Sequence, residues 1–253
     1  MNEIDKLPSV EKEVYKNTFL HNTVVTITYD EVTKNSLTGD FDERKNAFFK
    51  NFFNVDQSDR DFVNQGISLS KVDKSQGLLF TKAFCMANVN RSVYKTFLES
   101  MMPNVYALCS FLRDIAKVGR TRTVEVRKIN MFPVEVSKSV DLKLRCERQK
   151  VLANVLTKEC LGKHHETESI PVKGAIADFG QRVLKDKDGY IYRIKTGLMP
   201  AGENKTYVVV DLSVTYPMAL GMQDVESKTM ELNKLEFDLF HWSVNPEIIS
   251  NMK

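Results

Sequence analysis

A set of short apolar strands followed by one long amphipathic helix occurs twice along the chain, first over residues 22–118 and again over 170–243. In the first pass the strands are Val24-Val25-Thr26-Ile27-Thr28-Tyr29, Ile67-Ser68-Leu69-Ser70 and Leu78-Leu79-Phe80-Thr81, and the helix begins near Ser92. In the second they are Ala175-Ile176-Ala177-Asp178-Phe179, Tyr190-Ile191-Tyr192-Arg193-Ile194 and Tyr207-Val208-Val209-Val210-Asp211-Leu212, and the helix begins near Val225. β-Branched and aromatic residues favour the pleated, half-buried surface of a strand. Each sheet then needs an apolar helix stripe to cover it. The expected fold is α+β, in two similar halves, each an antiparallel sheet followed by a long amphipathic helix. The expected organisation is a polar, loosely packed N-terminal arm over 1–16, a first half over 17–135, a basic connecting segment over 136–169 and a second half over 170–253. No Pro/Ser-rich linker separates these segments, so they are expected to form one compact unit.

Helix signals support the plan. Tyr94, Phe97, Met101, Val105, Leu108, Leu112 and Ile115 recur at gaps of three and four, with Pro103 predicting a kink or break and Gly119 a C-terminal stop. The closing helix carries Leu232, Leu235, Leu239 and Trp242, with Asp224 as its N-cap and Asn245-Pro246 as its end. Phe48-Phe49 and Phe52-Phe53 lie four apart and predict a short helix over 41–53 that packs on the sheet. Residues 145–161 carry a short helical stripe. Hairpin turns are expected at Val72–Gly77, with Gly77 at positive φ, and at Lys185–Gly189; Gly162–Ser169 and Gly197–Lys205 read as loops. A strand over 121–132 should end before Pro133. Phe97, Leu108, Leu112, Leu235 and Leu239, at the centres of their stripes, should be buried.

Composition excludes some classes of function. No apolar run approaches the roughly 20 residues of a membrane span. The N-terminus, Met1-Asn2-Glu3-Ile4-Asp5-Lys6, lacks the apolar core of a secretory signal. Cys85, Cys109, Cys146 and Cys160 have no framework spacing, which points to reduced thiols in a cytoplasmic protein. A net charge of +3 does not of itself call for nucleic acid, but its distribution is uneven. Between Lys117 and Lys150 ten Lys/Arg face four Asp/Glu, a local excess of +6. Arg145 and Arg148, with Lys143 and Lys150, are therefore candidates for a surface that attracts phosphate or an acidic partner. Single-strand binding would want aromatic residues interleaved there, and Phe132 stands alone.

Little else carries chemistry. Arg127 and Asn130 could form a polar anchor at the mouth of the sheet, although three residues apart on a strand they point to opposite faces. Without a ligand, Arg127 would pair with a carboxylate and Asn130 would make a turn. Cys146, Cys160, His164 and His165 have no recognised zinc spacing, so no metal is expected. Asp186, Asp188 and Gly189 read as a hairpin, not a calcium loop. There is no nucleophile elbow and no Gly-rich phosphate loop, and no cofactor is expected.

Three stretches resemble a sporadically distributed family of uncharacterised bacterial proteins of similar length. They are Tyr15-Lys16-Asn17-Thr18-Phe19-Leu20 with the strand Val24–Tyr29, then Val124-Glu125-Val126-Arg127-Lys128-Ile129-Asn130, and finally Leu235 through Phe240-His241-Trp242 with Pro246-Glu247 and Met252. The second is similar to the family's central Arg-Tyr-x-Asn strand, with Lys128 where an aromatic is usual. The resemblance implies a shared fold along nearly the whole chain and no assigned reaction. The expected function is a non-enzymatic cytoplasmic binding or assembly module that self-associates through sheet edges or the closing helices, or binds another protein. The alternative is a nucleic-acid- or nucleotide-directed enzyme using the basic segment 117–150, with Arg127 as a phosphate contact.

Overall fold

Val25, Ile27, Phe80, Cys85, Ala87 and Val89 are fully buried, and together they mark one side of a sheet as core. The computed structural model describes residues 2–4, 7–11, 15, 18–71, 73–137, 139–142, 144–161, 180–202 and 205–253. In chain order the elements begin with β1 (Asn2–Glu3), β2 (Leu20–Tyr29), α1 (Phe41–Phe53), β3 (Ile67–Ser70), β4 (Gln76–Phe80) and β5 (Phe84–Asn90). Then come α2 (Phe97–Ser100), α3 (Met102–Ser110), a π-helical segment Phe111–Ile115, and β6 (Arg120–Glu135). They close with α4 (Arg145–Ala153), α5 (Lys158–Leu161), β7 (Gly180–Lys185), β8 (Ile191–Gly202), β9 (Lys205–Tyr216), β10 (Leu220–Gly221), α6 (Val225–Ser243) and α7 (Pro246–Ser250). The protein is α+β, and most pairings are antiparallel, among them β2–β5, β3–β4, β4–β5 and β7–β8.

The chain divides into two compact units that interleave in sequence. One comprises 1–21, 127–214 and 234–253, and the other 22–126 and 215–233. These boundaries differ from the serial segments 17–135 and 170–253, because β2, β6, β9 and α6 each contribute residues to both units. In the first unit the strands run β1-β7-β8-β9-β6, with β1 parallel to β7. In the second they run β6-β2-β5-β4-β3, with β10 antiparallel to β6.

The second unit is built around aromatic packing. Phe49, on α1, meets Phe80 of β4 at 5.4 Å and Phe111 at 5.4 Å, while Phe111 and Phe80 lie 4.7 Å apart. The helix expected over 92–118 is divided where Pro103 directs. Thr96 caps α2 by accepting from the Glu99 amide, α2 ends at Ser100, and Pro103 sits in the first turn of α3, where its missing N–H costs nothing. Its stop is Lys117, at φ 56°, and not Gly119. Lys117→Gly should therefore raise stability by about 0.5–1 kcal/mol in chemical denaturation, since glycine takes this conformation without a Cβ clash.

Other expectations are corrected in the same way. Lys74, at φ 55°, turns the β3–β4 hairpin, and Gly77 lies inside β4, where a Cβ would meet the Asn88 side chain. Residues 84–90 form β5. β6 continues through Pro133 to Glu135, and the stretch 197–205 belongs mostly to β8 and β9. Phe97, Leu108, Leu112 and Leu239 are buried as expected, whereas Leu235 is half-buried. The expected strand Ala175–Phe179 and the loop Gly162–Ser169, with His164 and His165, lie outside the described residues.

The described residues of the N-terminal arm are docked within the first unit. β1 pairs with Leu184 and Lys185 of β7, Leu7 is buried, and Val10 and Tyr15 contact α6.

Candidate functional site

Strand β6 carries Arg127 and Asn130, two of the four candidate site residues, and its pleat separates them. Val124, Val126, Asn130 and Phe132 are buried, and Lys128 on the same side has a side chain 12% exposed. Thr123, Glu125, Arg127, Ile129 and Met131 alternate with them and are half-buried. Arg127 and Asn130 therefore point to opposite faces and share no site. Asn130 lies within the strand and makes no turn.

On the half-exposed face Arg127 makes a two-pronged contact with Asp211 of β9, Nε to Oδ1 at 2.7 Å and Nη2 to Oδ2 at 2.6 Å. That geometry matches guanidinium to carboxylate and uses the edge a phosphate would take. On the buried face, within the first unit, Lys128 Nζ lies 2.6 Å from Glu236 Oε2 of α6. Burial pushes the Glu236 carboxyl up, and Lys128 draws it back down. Among the described residues Glu236 Oε1 has no hydrogen-bond partner.

The basic segment is partly neutralised at longer range. Arg122 pairs with Asp30, Arg127 with Asp211, Lys128 with Glu236 and Lys150 with Glu147. Three of these four carboxylates lie outside 117–150, so a local charge count overstates the excess. Arg148 is half-buried on α4, and Arg145 opens that helix with its side chain outside the described residues. Lys138 and Lys143 also lie outside the described residues.

Three of the thiols and two phenols have their proton affinities raised by burial in packed interior. Burial raises Cys109 to about 12 and Cys160 to about 11, and it also raises Cys85, Tyr29 and Tyr192. High-affinity thiols of this kind are poor nucleophiles. Among the described residues no group of three or more His, Cys, Asp or Glu could hold a metal ion. A cleft of about 510 Å3 lies between the entry to α1 and the 58–63 loop. Three of its charged groups are already paired: Asp42 accepts from buried Lys45, which lies behind the lining, at 2.9 Å, and Lys34 pairs with Asp61.

The outward side of β2, β5 and β4 in the second unit is different in character. Cross-strand rows place Leu79, Met86 and Thr26 in line, then Gly77, Asn88 and Val24, with Phe84 opposite Thr28 and Asn90 opposite Asn22. These positions carry no charge. Leu79, Met86, Thr26, Thr28 and Asn88 are half-buried, and Phe84 is 36% exposed. Sequence reasoning missed this face because it did not recognise β5, whose inward residues are Cys85, Ala87 and Val89 while the larger Phe84 and Met86 point out.

No helix among the described residues is long and apolar enough to cross a membrane. No protein-family model matches this sequence, and no curated protein matches it.

Proposed function

We propose that the protein is a non-enzymatic binding or assembly module that self-associates through the outward face of β2, β5 and β4. The uncharged mixture of apolar, Thr and Asn side chains on that face carries the reading. A self-complementary contact sets the same patch against itself, which like charges would oppose and a neutral patch allows. The edge strands favour the face over edge pairing, since β3 has four residues and β1 two. The closing helix α6 is a weaker candidate, because its last three turns already meet β6 and the protein's own N-terminal arm. Four free cysteines agree with a cytoplasmic setting.

Two further parts of the reading are structural. The order strand, helix, three strands, helix occurs from β2 to the α2–α3 pair, and again from β6 to α6 apart from the short β10 and the α4–α5 pair. In both runs the first strand lies beside the fourth, then the third, then the second. This recurrence supports two similar halves. Light scattering tests the assembly. The wild-type chain should show a mass above that of one chain, rising with concentration, and Met86→Glu should return it to a single chain with an unchanged circular dichroism spectrum. A wild type that stays monomeric, or an absorbance ratio reporting bound nucleic acid, would remove the reading.

A further inference from the structure

The N-terminal arm is held in the first unit as peptide ligands are held. One contact adds β1 to the edge of β7 in parallel, a main-chain recognition mode that ignores side-chain identity. A second captures a single peptide group: the Val10 amide donates to Asp238 Oδ1 at 3.0 Å, and the Val10 carbonyl accepts from Lys234 Nζ at 2.6 Å. Lys234 and Asp238 are one turn apart on α6 and paired with each other, so the helix presents a preset donor and acceptor. Five residues on, Tyr15 stacks on Phe237 at 6.0 Å, and its hydroxyl lies 2.5 Å from His241 Nε2. Together β7 and the 234–241 stretch of α6 form a track for a segment that supplies main-chain donors and acceptors and one phenol.

We infer that this track accepts the arm of a second copy of the chain, so that two protomers exchange arms. Every contact used in place would be remade between copies, which makes exchange of an identical element a low-cost route to a dimer. Among the described residues the contacts to be broken first are those of the two-residue β1, the Ile4 amide on the Lys185 carbonyl, the buried Leu7, the Val10 peptide group and the Tyr15 ring and hydroxyl. The Lys234 side chain that holds Val10 is 32% exposed. Exchange rests on the self-association proposed above but uses a different surface from the β2–β5–β4 face.

The test mixes isotopically heavy and light full-length chains carrying photoreactive benzoylphenylalanine at position 10, where only the peptide group of Val10 is read by Lys234 and Asp238. Illumination should join position 10 to the 234–241 stretch in heavy–light pairs, in a share that grows with protein concentration. Lys234→Met should cut that yield about tenfold by removing a charged hydrogen bond. Tyr15→Phe, which keeps the ring, should lower it without altering α6. Crosslinks confined to heavy–heavy and light–light pairs in a sample of dimeric mass overturn exchange and leave self-association standing. A lack of any crosslink to 234–241 overturns it as well. A monomeric mass at every concentration removes both.

Discussion

Lys128→Met is expected to lower the free energy of unfolding by about 3–5 kcal/mol at neutral pH, because it strands the Glu236 carboxylate in the core of the first unit. Glu236 is 1% exposed, and among the described residues its second oxygen has no hydrogen-bond partner, so no described residue is in place to take over from the ammonium. The pH dependence has a definite sign. Burial raises the Glu236 carboxyl above its ordinary 4.5, so the folded state holds the proton more firmly than the unfolded state does. The favourable contribution of such a group is complete below the unfolded-state value and is lost as pH rises through the folded-state value. Removing Lys128 takes away the opposing influence and raises the folded-state value further. The penalty of Lys128→Met should thus be largest at neutral pH and shrink on acidification into the carboxylate range. Lys128→Met/Glu236→Leu should recover most of the loss, since an apolar pair of similar volume avoids desolvating two charges. Denaturant midpoints measured across pH decide the matter. A penalty that grows on acidification, or a double variant no better than the single, would show that the pair is not the buried element described.

The same ion pair shows where sequence reading succeeds and where it stops. Phe48, Phe49, Phe52 and Phe53 place α1 correctly because i to i+4 spacing is a local property, and the Asp186–Gly189 turn is legible for the same reason, with Gly189 at φ 89°. The limits of α6 are likewise readable, at Val225 and Ser243. The face that α6 buries was read less well. An apolar stripe selects Leu232, Leu235, Leu239 and Trp242, whereas the buried side includes Thr229, Leu232, Glu236, Leu239 and Ser243. Glu236 belongs there because Lys128 meets it from β6, a partner that helical periodicity does not contain. Arg127 and Asp211, 84 residues apart, pair in the same non-local way, and so the basic segment reads as more cationic in sequence than in space. Strand β5 escaped for a different reason. Its core side carries Cys85, Ala87 and Val89, and its outward side carries Phe84 and Met86, which inverts the usual assignment of bulk to the interior. The candidate face was lost with it. Pro133 also misled, because a proline marks a strand end only when its missing N–H would have joined a ladder.

Phe111→Ala should be the most damaging single truncation in the second unit, costing about 3–5 kcal/mol in chemical denaturation. Phe111 is fully buried, and its ring centroid lies 4.7 Å from Phe80, 5.4 Å from Phe49, 5.5 Å from Phe48 and 5.5 Å from Phe62. It thus ties α1, β4 and the 58–63 loop to the helix it occupies, and the void it leaves borders four rings at once. Aromatic pairs add about 0.5–1.5 kcal/mol each beyond area burial, so losing four of them should set this site above an ordinary leucine position. Collapse of the void is opposed because Phe49 and Phe80 are themselves fully buried and close-packed. Phe52→Ala is the internal contrast. Its ring stacks on Phe48 at 4.6 Å, yet the residue is 51% exposed, and its truncation should cost about 1 kcal/mol or less. Equal losses at the two positions would mean that the aromatic cluster is not the organising core of this unit. A large loss at Phe111 with a small one at Phe52 would assign α1's Phe48–Phe49 face to packing and leave its outer edge free of any stabilising role.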